Sequence, residues 1–511
     1  MSGSFPPDLP VVVLSNRGPV SFRRERGERT VRRGAGGLVT ALAGLAGHLQ
    51  DAVWVCAAST AEDAAVAREH GGQPVTMAMG ATPSLTGTAG EPTLDVRFVE
   101  IDHDAQEDFY SVISNPLLWF VQHGLYGLAT APEITQREHD AFDHGYVVVN
   151  DAFADAVCEE VERRGGRAVV LLQDYHFYLV AEQVRQRCPG GVLSHFVHIP
   201  WPGADGWRVL PPRMRERILR GLLGNDVVAF HTEEFARSFV LCCHELLGLP
   251  VDHARLTVDV DGRTVRARHY PISIEVGALE ELAAGEEVAA HQRTIERTLL
   301  SDDRQLILRV DRTDPSKNIV RGFRAFEQLL LDHPELVGRV TFLAMLQPSR
   351  LDVPEYADYV ARIGAAVARI NARYAREGQA PIDLRLQEDF PYAVAAYSLC
   401  DVLVVNAVAD GMNLVVKETA VVNRRDGVLA LSERTGAHAE LGAFAVTLYP
   451  FDVQQQADAL HEALTMDRAE RRERLRAAAA VVRANDVGKW LSNQLDDLLR
   501  WSAPGAPGAA R

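Results

Sequence analysis

Lysine is nearly missing from this sequence: of the 53 Lys and Arg residues in 511, only Lys317, Lys417 and Lys489 are lysines. With arginine so favoured, each surviving lysine marks a position worth inspecting. An excess of positive charge is missing too, since 69 Asp and Glu leave the chain at −16. That balance opposes indiscriminate adhesion to nucleic acid or anionic lipid, so neither is an expected partner, and any anionic ligand must be held by a local pocket. Six cysteines form no CxxC pair and no zinc-like cluster, which predicts buried free thiols. No window supplies the ~18 uninterrupted apolar residues needed to cross a bilayer. The start, MSGSFPPDLPVVVLSNR, has no basic region followed by a long apolar stretch and a small-residue cleavage site, so a cytoplasmic protein is expected. What is present is ordinary globular usage, 47% hydrophobic and 24% charged, in a chain long enough for two or three domains.

The apolar runs are short, β-branched and separated by loops and amphipathic stretches. At 11–14, VVVL reads as a buried parallel strand; after an Arg-rich excursion, Gly34 to Gly37 lead to Leu38, Leu42, Leu45 and Leu49, whose spacing marks one face of a helix. Further strands are predicted over 168–172, 193–199 and 226–230, the last followed by Thr232 as N-cap of a helix to Leu247. A hairpin over 256–267 with an Asp261-Gly262 turn leads to Pro271 and a helix over 276–299, where a domain boundary is placed. The second half repeats the alternation, with strands over 305–310, 340–346, 382–387, 401–406, 428–432 and 446–449. Such alternation predicts an α/β protein of two Rossmann-like, doubly wound parallel-sheet domains, by analogy the GT-B architecture in which they face across a cleft. The expected domains are 1–275 and 276–485, with a closing helix over 486–502 returning to the first and a disordered Pro/Gly tail over 503–511.

Three groups of residues carry chemistry. DGMNLVVKE, Asp410 to Glu418, follows a strand and runs into a helix. Gly411 lets the backbone turn tightly, the amides of Met412, Asn413 and Leu414 would open a helix N-terminus suited to pyrophosphate, and Glu418 lies two turns on, where it can accept both hydroxyls of a ribose. RVDRTDPSKN sets Arg312 and Lys317 five residues apart across a Pro turn, so two cations can converge on one diphosphate leaving group, with Asp314 to orient them. LLQDYHFYLV and HFVHIPWP bring Asp174 and His198 to strand ends; His195, three residues before His198, would face the other side of the strand, which argues against a metal pair. Lesser signals are Arg17 in SNRGP, Arg350 at the strand end MLQPSR, and YSVISNPLLW. The last places Tyr110, Ser114, Asn115 and Trp119 in one loop-to-helix segment suited to a sugar phosphate. The single DxD string, Asp259-Val260-Asp261, lies in the hairpin and reads as structural.

Taken in order, SNR, GGL, YSVISNPLLW, DYH, HIPWP, RTDPSKN, PSR and DGMNLVVKE resemble the trehalose-6-phosphate synthase family over some nine-tenths of the chain. The resemblance implies a retaining GT-B glucosyltransferase that joins a nucleoside-diphosphate glucose to glucose 6-phosphate and releases a nucleoside diphosphate, without metal or cofactor. It implies that Arg17, Tyr110, Trp119 and Arg350 hold the acceptor's phosphate and that Asp174 touches the acceptor sugar. His198 and Asp410 would bind donor glucose hydroxyls, Arg312 and Lys317 the diphosphate with the amides from Gly411 to Leu414, and Glu418 the ribose. Gly37 would bring its backbone close to the donor. His198, Asp174, Arg312, Lys317 and Asp410 form the implied catalytic set.

Two departures bear on specificity. Family members commonly carry RLDYSKG where this chain has RTDPSKN, and the second tryptophan of a WFGW-like segment is missing around Trp54. Both resemble the actinomycete side of the family, which includes GDP-glucose users and couplers of cyclitols. GDP-glucose is therefore the favoured donor, with UDP-glucose close behind. The alternatives are a cyclitol-coupling pseudo-glycosyltransferase and a catalytically silent sugar-phosphate sensor. A sensor would be expected to have lost at least one of His198, Arg312, Lys317 and Asp410, and all four are present. Oligomeric state stays open, a homo-oligomer included.

Overall fold

A computed structural model describes residues 9–34, 51–79, 93–351, 353–376 and 378–502. Gly37, the helix expected from Leu38 to Leu49 and the tail 503–511 lie outside the described residues. The chain divides into two compact units, Met1–Tyr270 with Gly488–Arg511, and Pro271–Val487.

In the first unit, Thr93–Val99, Ala52–Ala57, Val11–Ser15, Val169–Gln173, Val192–Phe196, Val227–Phe230 and Arg263–His269 lie side by side and parallel. VVVLS and VVLLQ at its centre are buried along their whole length, as strands covered on both faces must be. Successive strands add outward from Val11–Ser15 on one side, then from Val169–Gln173 on the other, so the topological switch point falls between these two. At one margin the register Val260↔Arg263 leaves Asp261 and Gly262 as a two-residue loop, both with positive φ (53° and 83°), the turn that matches the strand twist. Thr232 caps Glu233–Leu247, its Oγ1 accepting the Phe235 N–H at 3.2 Å. All six cysteines are free and buried.

Among the described residues the second unit holds six parallel strands in the order Ile382–Arg385, Val340–Gln347, Gln305–Arg312, Val402–Val405, Val428–Ser432 and Val446–Leu448. This is the doubly wound order, with its switch point between Gln305–Arg312 and Val402–Val405. Phe323 and Phe326 of helix Ile319–Asp332 pack on Phe342 of the sheet, and Leu460 and Ala463 of helix Val453–Thr465 belong to the same core. The fold class is thus α/β with two doubly wound parallel sheets.

Three local expectations change. The helix expected over 276–299 is two, Val276–Ala283 and Glu286–Thr298, parted at Gly285, whose extended backbone starts the second. The Arg-rich excursion is a strand pair, Val20–Glu25 with Glu28–Arg33, where Arg24 and Arg29 pair with Glu62 and Glu69. The segment from Tyr110 to Trp119 is helical throughout rather than loop-to-helix: Asp108–Leu118 winds in wide i→i+5 turns and runs straight into Trp119–His123. Pro116, which has no N–H to give, sits inside the wide turns. Among the described residues no helix is long and apolar enough to cross a membrane.

Candidate active site

In the second unit the marked loops leave the carboxyl ends of the two strands flanking the switch point, where open parallel sheets bind ligands. The loops are tied together. Val408 N–H donates to Ser316 O at 2.8 Å, and Asn318 Nδ2 donates to Asn406 O at 2.9 Å. Across this junction Lys317 Nζ donates to Asp410 Oδ2 at 2.5 Å and stands 4.0 Å from Asp311 Oδ1. Burial pulls the ammonium's pKa down, but Asp410 and Asp311 outweigh burial and hold it above the ordinary lysine value, so Lys317 is charged.

Arg312 Nη2 and Arg350 Nη1 share Asp314 Oδ2 at 3.9 and 3.6 Å. Arg350 Nη1 also donates to the Tyr356 hydroxyl at 2.6 Å, and that hydroxyl donates to Asp314 Oδ2 at 3.4 Å. Asp314 therefore orients Arg312 and Arg350, and the expectation that it would also orient Lys317 is corrected: Asp410 and Asp311 do that. Arg350 is sunk against Tyr356, whereas 38% of the Arg312 side chain is solvent-exposed.

The turn before helix Leu414–Val422 is held from both sides. Gly436 N–H donates to Asp410 O at 3.0 Å and Ala437 N–H to Met412 O at 2.9 Å. Asn413, at φ 95°, caps the helix through Oδ1 on Val416 N–H and donates from Nδ2 to Asp410 Oδ2 at 3.2 Å. Gly411 is buried and Met412 is 4% exposed, so the Met412 side chain is packing; the amide of Leu414 has no acceptor within its helix. Burial pushes the Glu418 carboxyl up to about 7, while the Tyr397 hydroxyl bonded to it draws it back.

In the first unit Arg17 and Asp174 follow the two strands at that sheet's switch point. Arg17 is exposed, and its loop is fixed from below by Trp54 Nε1 donating to Ser15 Oγ at 2.7 Å and Ser15 Oγ donating to Arg17 O at 2.6 Å. Asp174 has φ 71°, a strained setting for a residue with a side chain and one that clusters at functional sites. Its Oδ1 accepts His198 N–H at 3.2 Å, and its carbonyl shares a hydrogen bond with His195 Nε2 at 3.0 Å. His195 is thereby committed to the core, burial holding its pKa down at about 4.

His198 shares a 2.9 Å hydrogen bond with Gln173 Oε1 and stacks on Phe196, with His231 and Trp490 beside it. Burial, then His231 and His195, keep its pKa well below the ordinary range, so the ring is neutral. Tyr110 stacks on His176, which packs on Tyr175. Trp119 is 6% exposed, stacked on His123 at 4.1 Å and edge-on to Tyr175 at 5.5 Å, and so backs this wall from inside. Ser114 and Asn115 are fully buried, Asn115 Oδ1 accepting the Tyr175 hydroxyl at 2.8 Å. The DxD string closes the hairpin turn, Asp259 Oδ1 accepting Gly262 N–H at 3.1 Å.

The structure brings together Arg312, Lys317, Arg350, Asp410 and Asn413 in one unit, and Asp174 and His198 in the other. Sequence reasoning missed Asp311, Tyr356, Gln173, His231, Gly436 and Trp490. Asp311 and Gln173 lie within quoted motifs and Gly436 follows a strand end, which were usable signals; the others had none.

The model of glycosyltransferase family 20 matches residues 10–500. The chain is 33% identical over 497 residues to the bifunctional trehalose-6-phosphate synthase/phosphatase of Thermoproteus tenax, covering 94% of this chain and 62% of that protein. It is 32% identical over 505 residues to the trehalose-6-phosphate synthase of Mycobacterium marinum, covering 96% of this chain and 94% of that protein. It thus spans under two thirds of the first relative and nearly all of the second. Among solved structures, an α,α-trehalose-phosphate synthase (UDP-forming) from Burkholderia xenovorans in complex with glucose-6-phosphate aligns over 96% of this chain and 100% of that one, with a TM-score of 0.78 and 28% identity.

Proposed function

From the premise that the chain belongs to glycosyltransferase family 20, we propose that it transfers glucose, with retention, from a nucleoside-diphosphate glucose to glucose 6-phosphate, giving α,α-trehalose 6-phosphate and a nucleoside diphosphate. The observation that carries this reading is the charged Lys317 at 2.5 Å from Asp410, with Arg312 at the end of the strand that leads into the Lys317 loop, at the switch point of the second sheet. Lys317, Arg312 and the free amides opening helix Leu414–Val422 receive the diphosphate and neutralise it as the glucosyl C1–O bond breaks. A ligand that draws Lys317 away frees Asp410 for a glucose hydroxyl. Neutral His198 is suited to a second hydroxyl, because it can donate at one nitrogen and accept at the other. Asp174 is assigned the acceptor sugar, Arg17, Tyr110, Trp119 and Arg350 its phosphate, and Glu418 the donor ribose. The acceptor hydroxyl attacks C1 from the leaving group's own face and its proton passes to a diphosphate oxygen, so configuration is retained.

The sequence favours GDP-glucose, whereas the solved Burkholderia relative is named UDP-forming. Incubation with glucose 6-phosphate and each of UDP-, GDP- and ADP-glucose, with nucleotide release measured, tests the reaction and ranks the donors together. Release that requires glucose 6-phosphate is expected with GDP- or UDP-glucose. No release with any donor would favour the cyclitol coupler or the silent sensor.

A further inference from the structure

Lys317 stands between two carboxylates, Asp410 Oδ2 at 2.5 Å and Asp311 Oδ1 at 4.0 Å. Asp311 is assigned no part of the ligand in the reading above, although it is the more deeply buried, with 5% of its side chain exposed against 16% for Asp410. The groups facing it are Arg309 on its own strand, with Nε 3.4 Å away, Arg312 at that strand's end, Lys317 in the loop that follows, Asp410 in the loop after Val402–Val405, and Tyr397 of helix Phe390–Leu399. Arg309 is fully buried and anchored on Asn406 and the Lys317 carbonyl, so it is fixed. Lys317 is assigned a task that draws its charge toward a ligand.

A diphosphate that takes the Lys317 ammonium removes compensation from a carboxylate with almost no water around it, and sets new negative charge nearby. A buried carboxylate so exposed to its own charge is costly and neutralises by binding a proton. Resting on the donor assignment under Proposed function, we propose that Asp311 takes up one proton from solvent when a nucleoside-diphosphate sugar binds, releasing Lys317 to the diphosphate. Asp311 is then a positioning residue of the donor site. The only bond formed is O–H on the Asp311 carboxylate, and water or buffer supplies the proton. Burial already pushes this carboxyl up to about 6, and drawing the Lys317 charge away moves it further in the same direction. By linkage, its contribution to donor affinity falls as pH rises above 6, by up to about tenfold per pH unit.

The test is calorimetric titration of the full chain with UDP-glucose and GDP-glucose at pH 7, without acceptor, in HEPES and in Tris, whose ionisation enthalpies differ. The donor's diphosphate does not titrate near neutrality, so exchanged protons belong to the protein. Glu418 also titrates there and would release a proton to solvent on accepting the ribose hydroxyls, so the readout is the difference between wild type and Asp311→Asn, in which Glu418 is common. Wild type is expected to take up as much as one proton more than the variant, and to lose donor affinity more steeply between pH 7 and 8. Equal proton counts overturn the proposal. If Asp311→Asn does not fold, Glu418→Gln, in which that release is absent, decides: a donor affinity that is flat or rising between pH 7 and 8 in this variant overturns it. Failure of every sugar nucleotide to bind defeats the donor assignment itself, a result distinct from binding without proton uptake.

Discussion

The Lys317 ammonium donates to the Asp410 carboxylate at 2.5 Å, so the cation assigned to the diphosphate and the acid assigned to the donor sugar neutralise each other until a ligand parts them. Each is partner and competitor to the other's task. Asp410→Asn removes the competition and the sugar contact at once. The variant is expected to bind a nucleoside diphosphate at least as tightly as wild type in titration calorimetry, while kcat falls about 10²-fold. Weakened diphosphate binding would contradict the competition.

Tyr356 acts on Arg312 at one remove. Its hydroxyl accepts from Arg350 and donates to Asp314, the carboxylate that Arg312 and Arg350 share. Tyr356→Phe keeps the buried ring and deletes that bridge, a loss of about 1 kcal/mol. The donor KM should rise about fivefold with kcat changing less. An unchanged donor KM would show that Arg312 is placed without it.

His195 sets an acid limit on stability. Its folded pKa of about 4 lies below the unfolded value of 6.5, so the fold favours the neutral ring. The stability this confers is fully present above pH 6.5 and is lost as pH falls toward 4, a change on the order of 3 kcal/mol. Urea unfolding of wild type and His195→Gln at pH 7 and pH 4.5 measures it: the variant is expected to lose less on acidification, and equal losses would refute the assignment.

Gly436 braces the turn that carries Asp410. A Cβ there would run into Gly411 O and meet the Met412 Cα at 3.1 Å, both backbone. Gly436→Ala must therefore move the 410–412 turn, costing about 1–3 kcal/mol in unfolding experiments and lowering turnover more than its Tm shift alone would explain. Full activity at the wild-type Tm would show the turn to be free to yield.

The legible parts of this chain were those in which one run of residues contains its own explanation. Most of the parallel strands are apolar, β-branched stretches bounded by loops, so six strands of the second sheet could be placed from 305–310 to 446–449. The Arg312–Lys317 and Asp410–Glu418 motifs are local, and so is the Thr232 cap. Pairings between distant residues were not legible: Asp410 lies 93 positions from Lys317, and Tyr356 lies 42 from Asp314. The strand pair over 20–33 was hidden because its charged side chains are satisfied by Glu62 and Glu69 of another element. Asp174 could be marked as a candidate, but its positive φ follows from how Asp174 N–H and Phe196 O meet at 2.7 Å, a contact between two strand ends.

The most direct measurement is the single-turnover rate of nucleoside diphosphate release, with saturating glucose 6-phosphate, in wild type, Arg312→Ala and Lys317→Ala, each checked for an unchanged circular dichroism spectrum. If these two side chains neutralise the departing diphosphate, each variant should release it about 10²–10³-fold more slowly than wild type. Release within about threefold of wild type by either folded variant, a barrier change under about 1 kcal/mol, would contradict the account.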